Sequence, residues 1–578
     1  MCGIAGFVNL DGAPADARVL SAMSGMVPHR GPDDCGAELV SLGGGTPDTA
    51  LGFHRLSILD LSPLGHQPMQ GGGGSLTVLF NGEIYNAIDL QQALERDGCR
   101  FRSRSDAEVI LALYERYGID GVVDRLDGMF AIVLADTRAG VVHLVRDRFG
   151  IKPLLWSQCG QTVMFASEAK AFLAHPSFRA EIDPEAIDET LAFRYVAGNA
   201  TLLKGVRHVP PGHRMTIAPS GVATHRYWTI PDRQEQRAIA AADAADRFRD
   251  LLQASVRSQL RSDVKVGCQL SGGIDSSLVS VMAGGADTFS IVFAEKMFSE
   301  EPWIVEAAAA ANSENHRFTF DGDTFVDALD AASWHMDQPI GHPNALALWL
   351  LAKRSRAHVT VLLSGEGADE VFAGYARFRD AVTADPETFI RATQFHSESR
   401  LAKLRPAANV DPAMEKRRAI FNEGRGDDLS NCVKYEMQTH LVELLARQDR
   451  MMMAHGIENR VPFLDHALVG FARALPNEQL IGKALVKNAA RQTFSDAFVD
   501  RRKAGFNLPL GQYFRSARFV ELMEDRLLPA MTSRALVDVA IVRRWWRRAL
   551  SAPSTTEGFW IVVALELWAQ QFIDRRAA

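Results

Sequence analysis

The first part of the chain, residues 3–227, consists of short apolar runs that are broken by glycine and proline. Residues 76–80, 130–134 and 141–145 are runs of this kind, with the length and β-branched content of buried strands. Between them, residues 106–117 repeat apolar positions at the spacing of a helix. The pattern predicts sheets covered by helices in an α+β arrangement.

The pattern changes after a polar, alanine-rich segment at residues 231–245. Beyond it, strand-like runs alternate with helical stretches, and these runs lie at residues 264–270, 288–293 and 359–363. Such alternation predicts parallel βαβ units, and from about Pro386 the pattern is almost wholly helical. We therefore predict a domain over residues 2–228, a linker over 229–240 and a second domain over 241–578.

Composition narrows the class of protein. Of the 578 residues, 47% are hydrophobic and 23% are charged, which excludes a collagen-like or mostly disordered chain. A net charge of −7 argues against nucleic acid as a partner, and no apolar run approaches the roughly 18 residues that a membrane-spanning helix needs. Six scattered cysteines without a CxxC pair, and a start without the basic segment of a signal peptide, predict a reducing, cytoplasmic location.

Cys2 is the first candidate for chemistry. Removal of Met1 would leave a chain that begins with a thiol and a free α-amine, whose pKa of about 7.7–8.0 lets it take a proton from the thiol. A buried cysteine without any chemistry is the alternative. Polar turns follow beside the predicted strands, and among them an Asn side chain next to a Gly N–H, at Asn81 and Gly82, can form the oxyanion hole that acyl transfer needs.

Two glycine-containing turns follow predicted strands of the second domain. The first, residues 271–277 (SGGIDSS), lacks the Gly-Lys-Ser/Thr ending of a Walker loop, yet its glycines and the following helix N-terminus suit a pyrophosphate. The second, residues 364–370 (SGEGADE), includes Glu366, a candidate base. Because ligands collect beyond the carboxyl ends of parallel strands, both turns are expected to face one site, with Asp275 and Asp369 as Mg²⁺ ligands.

The first domain resembles the class II glutamine amidotransferases, which are N-terminal-nucleophile hydrolases. The resemblance is carried by the start Met-Cys-Gly-Ile and by residues 30–33 (RGPD), 54–58 (HRLSI), 81–86 (NGEIYN) and 105–106 (SD). It implies an αββα sandwich in which Cys2 is the nucleophile. It also implies that Asn81 and Gly82 form the oxyanion hole, and that glutamine is bound by Arg55, Asn81, Glu83 and Asp106.

Both domains together resemble the glutamine-hydrolysing asparagine synthetases of the B type, through residues 361–370 (VLLSGEGADE) and 458–465 (ENRVPFLD). The resemblance implies a doubly wound α/β ATP-pyrophosphatase domain with a helical C-terminal extension, which uses ATP and Mg²⁺. It implies Glu366 as the base and Lys487 as the lysine that neutralises phosphate charge, and family members are often dimers. It implies ATP contacts at Leu270, Ser271, Gly272, Gly273, Asp275, Ser276, Ser277, Val292, Ser364 and Gly365.

The acceptor carboxylate stays open at this point. Free aspartate is the leading choice, with a peptide, a sugar acid or a secondary-metabolite carboxylate as alternatives, because the chain departs from the family at Ser299, Ala373, Met452 and residues 338–344. A cyclase of the β-lactam synthetase kind would lack the nucleophile and carry Tyr in place of Glu366. A scaffold homologue would have lost Cys2 or Asp275. Residues 543–548 (RRWWRR) predict a helix with tryptophan packed inward, and residues 451–453 (MMM) predict core.

Overall fold

The computed structural model describes residues 2–232, 240–380, 385–501, 507–551 and 557–574. Most of the predicted linker, residues 233–239, lies outside the described residues.

The first half forms two six-stranded antiparallel sheets that face each other. Its strands are β1 (Gly3–Asn9), β2 (Asp34–Val40), β3 (Thr49–Arg55), β4 (Met69–Gly71), β5 (Leu76–Ile84), β6 (Gly128–Asp136), β7 (Val141–Arg146), β8 (Leu155–Cys159), β9 (Thr162–Ala166), β10 (Val206–His208), β11 (His213–Ala218) and β12 (Gly221–Arg226). Its helices are α1 (Ala17–Ser24), α2 (Ala87–Arg96), α3 (Asp106–Arg125) and α4 (Pro184–Phe193).

The two sheets have the strand orders β10-β8-β9-β1-β3-β2 and β12-β11-β7-β6-β5-β4. Helix α1 covers the first sheet and α3 covers the second, while β1 contacts β5 across the interior. Apolar side chains from both inner faces, such as Ile4, Leu79 and Val133, fill the space between the sheets. The predicted αββα sandwich is therefore confirmed. It places the start of β1 against β5 of the second sheet.

The second half contains a five-stranded parallel sheet in the order β15-β14-β13-β16-β17. These strands are β13 (Val266–Gln269), β14 (Thr288–Phe293), β15 (Asn315–Phe320), β16 (Val361–Leu363) and β17 (Glu458–Arg460). Helix α5 (Ala241–Gln259) precedes these strands, and the helices between them are α6 (Ile274–Met282), α7 (Glu301–Ala310), α8 (Gly322–Met336), α9 (Ala345–Ser355), α10 (Ala368–Val371), α11 (Arg377–Asp380), α12 (Pro386–Ala392), α13 (Glu398–Leu404), α14 (Asp411–Phe421), α15 (Asp428–Gln438) and α16 (His440–Met453).

The C-terminal extension is helical, as its pattern predicts. It contains α17 (His466–Ala472), α18 (Asn477–Leu480), α19 (Ala484–Ala490), α20 (Asp496–Asp500), α21 (Leu510–Tyr513), α22 (Ala517–Glu521), α23 (Leu528–Arg534), α24 (Val539–Ser551) and α25 (Glu557–Phe572), with a π-helical turn at Leu522–Leu527. Trp546 on α24 is buried and its indole donates to Glu524 at 2.7 Å, which confirms the inward tryptophan. Met451, Met452 and Met453 are fully buried, as expected of core residues.

Strand β17 is an element of the long helical region that the pattern does not predict. Its three residues are polar and carry no apolar alternation, yet they are buried and pair in parallel with β16. Of the helices in the described ranges, none combines the length and apolar character needed to cross a bilayer.

Candidate active sites

Cys2 lies at the start of β1, where the two sheets of the sandwich meet, and only 6% of its surface is exposed. Its backbone N–H donates to Asn81 Oδ1 at 2.8 Å, which joins the first sheet to β5 of the second. Burial raises the pKa of the thiol, and the Leu56 N–H and the nearby Arg55 oppose that rise. The sandwich thus holds the sulfur out of bulk water with an asparagine amide beside it.

Asn81 is fully buried, and its Nδ2 has no hydrogen-bond partner among the described residues. A buried amide donor without a partner is costly, so such a group in a native fold calls for an explanation. Because Oδ1 of the same amide is held by Cys2, the donor is available to an oxygen that develops negative charge beside the sulfur. A residue larger than glycine does not fit at the neighbouring Gly82, since a Cβ there would lie 2.1 Å from the Met129 carbonyl oxygen.

Glu83, near the end of β5, and Asp106, at the start of α3, are the predicted glutamine-binding acids, and both are buried. Asp106 begins α3 and accepts a hydrogen bond from the Ile84 N–H at 3.0 Å. Burial raises the pKa of Asp106 to about 6, and burial together with neighbouring acids raises that of Glu83. The structure therefore brings the two acids together in a buried region, where their carboxylates can pair with an ammonium group.

Arg55, the predicted carboxylate-binding residue, ends β3 close to Cys2 but already has partners. Its guanidinium donates to the backbone carbonyls of Leu59, Asp60 and Ser62 and so fixes the turn that follows. The turn passes so close that a Cβ at Gly65 would lie 1.9 Å from Arg55 Nη2. Arg55 is thus anchored beside the predicted glutamine site. No ion pair among the described residues joins its guanidinium to a carboxylate.

The first glycine turn of the second half joins β13 to α6. Gly272 has a φ of +80°, a conformation that favours glycine, and Gly273 caps α6. Ser276 Oγ and Ser277 Oγ donate to the Gly273 carbonyl oxygen at 3.1 and 2.8 Å, which fixes the turn. Leu270 and Val292 lie on the adjacent strands β13 and β14, at or just beyond the carboxyl edge. The predicted ATP-binding residues thus share one edge of the sheet.

The second glycine turn meets the first directly. Strands β13 and β16 are parallel neighbours, so the segments that follow them leave the sheet on the same side. A Cβ at Gly365 would lie 2.7 Å from the Ser276 backbone nitrogen, so only glycine lets the two turns approach this closely. The expectation that both turns face one site agrees with this geometry.

A lysine joins the two predicted metal-binding acids. Lys483 Nζ lies 2.6 Å from Asp275 Oδ2 and 2.9 Å from Asp369 Oδ1. Burial would lower the pKa of this ammonium, but the two carboxylates outweigh burial and raise it. Lys487, for which this role was predicted, lies one turn further along α19, and no ion pair of the described residues joins it to either acid.

Comparison with known proteins agrees with this two-part geometry. Residues 1–228 match the model of the glutamine amidotransferase domain, and residues 247–570 match that of asparagine synthase. The chain belongs to the asparagine synthase family.

Curated relatives align with most or all of the chain. Asparagine synthetase [glutamine-hydrolyzing] 1 of Bacillus subtilis is 30% identical, over 100% of this chain and 98% of its own length. A putative asparagine synthetase [glutamine-hydrolyzing] of Mycobacterium tuberculosis is also 30% identical, over 99% and 98%. Amidase chyE of Penicillium rubens is 30% identical over 71% of this chain and 64% of its own length.

Arg460 is a residue that sequence reasoning assigns no role, yet in this family member it joins the two halves. Its Nη2 lies 3.0 Å from Glu83 of the amidotransferase half, and its Nε lies 2.6 Å from Glu458. Its Nη1 donates to the Gln259 and Arg261 carbonyl oxygens, each at 2.6 Å. Its own carbonyl oxygen accepts from the Ser364 N–H at 2.9 Å. One buried residue therefore touches the glutamine side with its side chain and the second glycine turn with its backbone.

Arg30 makes a second connection between the halves. This buried side chain donates from Nε to the Cys2 carbonyl oxygen at 3.1 Å, and its Nη1 pairs with Glu168 at 2.8 Å. Its Nη2 lies 2.9 Å from Asp449, which belongs to α16 of the synthase half. Lys152 completes the link by donating to the Asn459 carbonyl oxygen at 3.3 Å. Arg30 and Lys152 therefore both join the amidotransferase half to the synthase half.

The predicted base, Glu366, lies in the second turn beside Arg447 of α16, with 3.4 Å between Oε2 and Nη2. Arg447 also donates to Asn344 Oδ1 at 2.9 Å. The neighbouring Glu370 accepts from the Tyr375 hydroxyl, and burial followed by the adjacent acids raises its pKa to about 8. The Glu366 side chain is partly exposed, whereas that of Glu370 is buried.

Arg501 is another functional candidate that sequence reasoning missed. Its guanidinium donates to the Gly272 carbonyl oxygen and lies over the rings of Trp303 and Phe498, at 4.8 and 4.6 Å from their centroids. An arginine placed against the pyrophosphate-type turn suits phosphate oxygens. No motif around Arg501 predicts this contact, because Arg501, which directly follows α20, is brought to the turn only by the tertiary fold.

Proposed function

We propose that the chain hydrolyses glutamine at Cys2 and uses the ammonia to amidate a carboxylate that it activates with ATP. Free aspartate, giving asparagine, is the acceptor expected of the family and serves as the reference substrate. The observation that carries this proposal is Arg460, which ties the glutamine acid Glu83 to the strand that supports Ser364. This contact connects residues of the two predicted sites through one buried arginine, as is expected if both sites serve one reaction.

In the first half, the Cys2 thiolate attacks the glutamine amide carbon. The Asn81 amide and the Gly82 N–H stabilise the oxyanion, ammonia leaves, and water hydrolyses the thioester to glutamate. Glu83 and Asp106 hold the substrate's ammonium group, and Arg55 faces its carboxylate. The free α-amine of Cys2, left after removal of Met1, accepts the thiol proton.

In the second half, the acceptor carboxylate attacks the α-phosphate of ATP, and pyrophosphate leaves from the turn at residues 271–277. Ammonia then attacks the acyl-adenylate, Glu366 takes a proton from the incoming nitrogen, and AMP departs. We assign charge neutralisation at the phosphates to Lys483, because it, and not Lys487, reaches Asp275 and Asp369.

Asp275 and Asp369 fit a magnesium ion. Both are carboxylates at one edge of the sheet, and Asp275 Oδ1 is buried without a hydrogen-bond partner among the described residues. When bound by these two acids, Mg²⁺ would neutralise charge on the phosphate oxygens.

Ammonia that escaped to water would be protonated and would no longer be a nucleophile, so a shielded passage between the two sites is part of the proposal. Confinement replaces diffusion with a high effective concentration, which for well-oriented intramolecular reactions reaches on the order of 10⁵–10⁸ M.

One mixture tests the proposal. Protein, glutamine, Mg-ATP and candidate acids are incubated, and glutamate, AMP and pyrophosphate are measured together. Equal amounts of all three are expected. Pyrophosphate without glutamate would favour a cyclase of the β-lactam synthetase kind, and release of none of the three would favour a scaffold.

Asn81→Ala removes the unpartnered amide beside Cys2. We expect kcat for glutamine hydrolysis to fall by about 10²–10³-fold, the usual cost of one oxyanion donor. Amide synthesis driven by ammonium salt should stay within twofold of the parent. Asn86→Ala is a matched control, since Asn86 caps a nearby turn without touching Cys2. An unchanged kcat in Asn81→Ala would contradict the assigned oxyanion hole.

Lys483→Ala and Lys487→Ala form a matched pair. They distinguish the lysine that the structure places beside the acids from the lysine that the sequence predicts for this role. We expect Lys483→Ala to slow pyrophosphate release by about 10²-fold, because it removes the cation held between Asp275 and Asp369. Lys487→Ala should change the rate by less than threefold. The reverse order of the two effects would return the role to Lys487.

A further inference from the structure

Arg447 is a buried cation of the synthase half to which the proposed mechanism gives no role. It lies on α16, and one arm of its guanidinium reaches the second glycine turn. Nη2 lies 3.4 Å from Glu366 Oε2, and Nη1 donates to Asn344 Oδ1 at 2.9 Å. Nε is buried and has no hydrogen-bond partner among the described residues.

Stability gives little reason for an arginine at this position. Burial of a guanidinium carries a desolvation cost, and replacement of a buried ion pair by apolar residues of similar volume is often neutral or stabilising. The unpartnered Nε of Arg447 adds to that cost. A role in the chemistry beside Glu366 therefore explains the charge better than a role in packing does.

The contact with Asn344 fixes one arm of the guanidinium. Asn344 directly precedes α9, in a position where an asparagine side chain commonly caps the helix N-terminus. Its side chain makes no capping bond to α9, and its Oδ1 instead accepts from Arg447. Residues 338–344, at which the chain departs from the family, thus include a direct partner of Arg447.

Helix α16 is itself bonded to the second glycine turn. Gln448, the residue after Arg447, donates from Nε2 to Asn459 Oδ1 at 3.2 Å. Asn459 lies on β17 and donates from Nδ2 to Ser364 Oγ at 3.3 Å, in the turn that contains Glu366. The position of Arg447 relative to Glu366 is therefore set by contacts on both sides.

Arg447 pairs with Glu366 although another acid is nearer in the sequence. Glu443 lies one turn earlier on α16, at a spacing where glutamate and arginine on one helix often pair. Glu443 instead accepts a hydrogen bond from Gln338 Nε2, and no ion pair between described residues joins it to Arg447. The guanidinium charge is thus directed away from its own helix and toward the turn.

The second turn concentrates negative charge, so its acids need cations to hold them. Glu366, Asp369 and Glu370 lie close together in it. Burial, followed by the other two acids, raises the pKa of Glu370 to about 8. Lys483 Nζ lies 2.9 Å from Asp369, and Arg447 provides the corresponding cation for Glu366. Without Arg447, like-charge repulsion would turn the partly exposed Glu366 side chain away from its neighbours.

We propose that Arg447 is a positioning residue for the amide-forming step, and that it holds Glu366 where the carboxylate can take a proton from the attacking nitrogen. In that step the C–N bond forms, the bond from the carbonyl carbon to the AMP oxygen breaks, and one proton moves from nitrogen to Glu366. Arg447 acts only through Glu366 and has no part in forming the acyl-adenylate. This inference rests on the proposed function and adds a residue to it.

A double-mutant cycle of Glu366→Gln and Arg447→Met tests the proposal. Ammonium salt is the nitrogen source, and the acceptor is the acid that gives the fastest pyrophosphate release. We expect Glu366→Gln to lower kcat for amide formation by about 10²–10⁴-fold, the usual contribution of a general base. Arg447→Met should lower it by at least about 10-fold in the parent and by less than twofold in the Glu366→Gln background. Equal losses in the two backgrounds, or no loss in the parent, would overturn the proposal.

A second measurement distinguishes positioning of Glu366 from general support of the fold. Pyrophosphate formation in a single turnover, without any nitrogen source, reports adenylation alone. We expect Arg447→Met to leave this rate within threefold of the parent, and to leave KM for ammonium within threefold. A loss of adenylation as large as the loss of amide formation would contradict a role through Glu366.

Arg534→Met is the matched control, because Arg534 is also a largely buried arginine that pairs with a glutamate. Its Nε lies 3.0 Å from Glu566, in the C-terminal extension. We expect this variant to keep both adenylation and amide formation within twofold of the parent.

The outcomes also separate this inference from the proposed function. If Glu366→Gln slows amide formation and Arg447→Met does not, the positioning role is wrong and the amidotransferase reaction stands. Absence of pyrophosphate release by the parent with every acid, in a preparation that still forms glutamate, overturns the proposed ligase reaction and this inference with it.

Discussion

Replacing Cys2 with alanine is expected to abolish amide synthesis from glutamine, by more than about 10³-fold, and to leave synthesis from ammonium salt within twofold. Loss of a covalent nucleophile removes the whole thioester route, which residues that only assist cannot replace. Ammonium-driven synthesis needs only the second half, which contains the glycine turns and Lys483. Glutamate and pyrophosphate, measured in parallel with each nitrogen source, report the two halves separately.

Cys35→Ala is the matched control for this experiment, because Cys35 is an exposed cysteine of the same sandwich. It should behave like the parent with both nitrogen sources. If Cys2→Ala loses ammonium-driven synthesis as well, the division of labour between the halves is wrong. Mass spectrometry of the active protein adds a second check, since retention of Met1 would leave Cys2 without a free α-amine.

Replacing Asp275 with asparagine is expected to give the opposite result, with pyrophosphate release reduced by about 10³-fold or more and glutamine hydrolysis retained. The substitution keeps the shape of the side chain and removes its negative charge. Lys483 then loses its nearer carboxylate, at 2.6 Å, and the proposed magnesium site loses one of its two acids. Glutamate formation is the readout that shows the chain is folded.

Asp287→Asn is the matched control, since Asp287 pairs with Lys265 on the same sheet at a distance from the turns. It should leave pyrophosphate release within twofold of the parent. Normal pyrophosphate release by Asp275→Asn would contradict the assignment of the first glycine turn to ATP.

Most of the fold follows from local pattern. Residues 288–293 form a strand with those bounds, because an apolar run next to turn residues has few alternatives. Residues 106–117 form a helix with the predicted bounds, because Gly118 leaves the helical conformation with a φ of +67°, and a second helical segment then continues to Arg125. Strand β17 could not be predicted in this way. Its polar residues are buried because Arg460 and Glu458 pair with each other and because β16 supplies the backbone partners.

The candidate sites likewise include residues that the local sequence predicts and residues that it does not. Cys2, Asn81 and Asp275 stand in motifs from which the family resemblance assigns their roles directly, and these roles stay predictions. The choice between Lys483 and Lys487 depends on where α19 begins, and Lys483 precedes it with a φ of +59° that turns the side chain to the acids. The contact between Arg460 and Glu83 joins residues 377 positions apart, for which one sequence carries no signal.

The contact between Arg460 and Glu83 also limits how this chain can be divided or recombined. A fragment ending near residue 228 would keep Glu83 and Asp106 but lose the only described guanidinium that pairs with Glu83. We therefore expect Glu83 to lose its counter-charge in the isolated amidotransferase half. Grafting it onto another ligase would require a recipient whose own sheet delivers an arginine to the same buried spot.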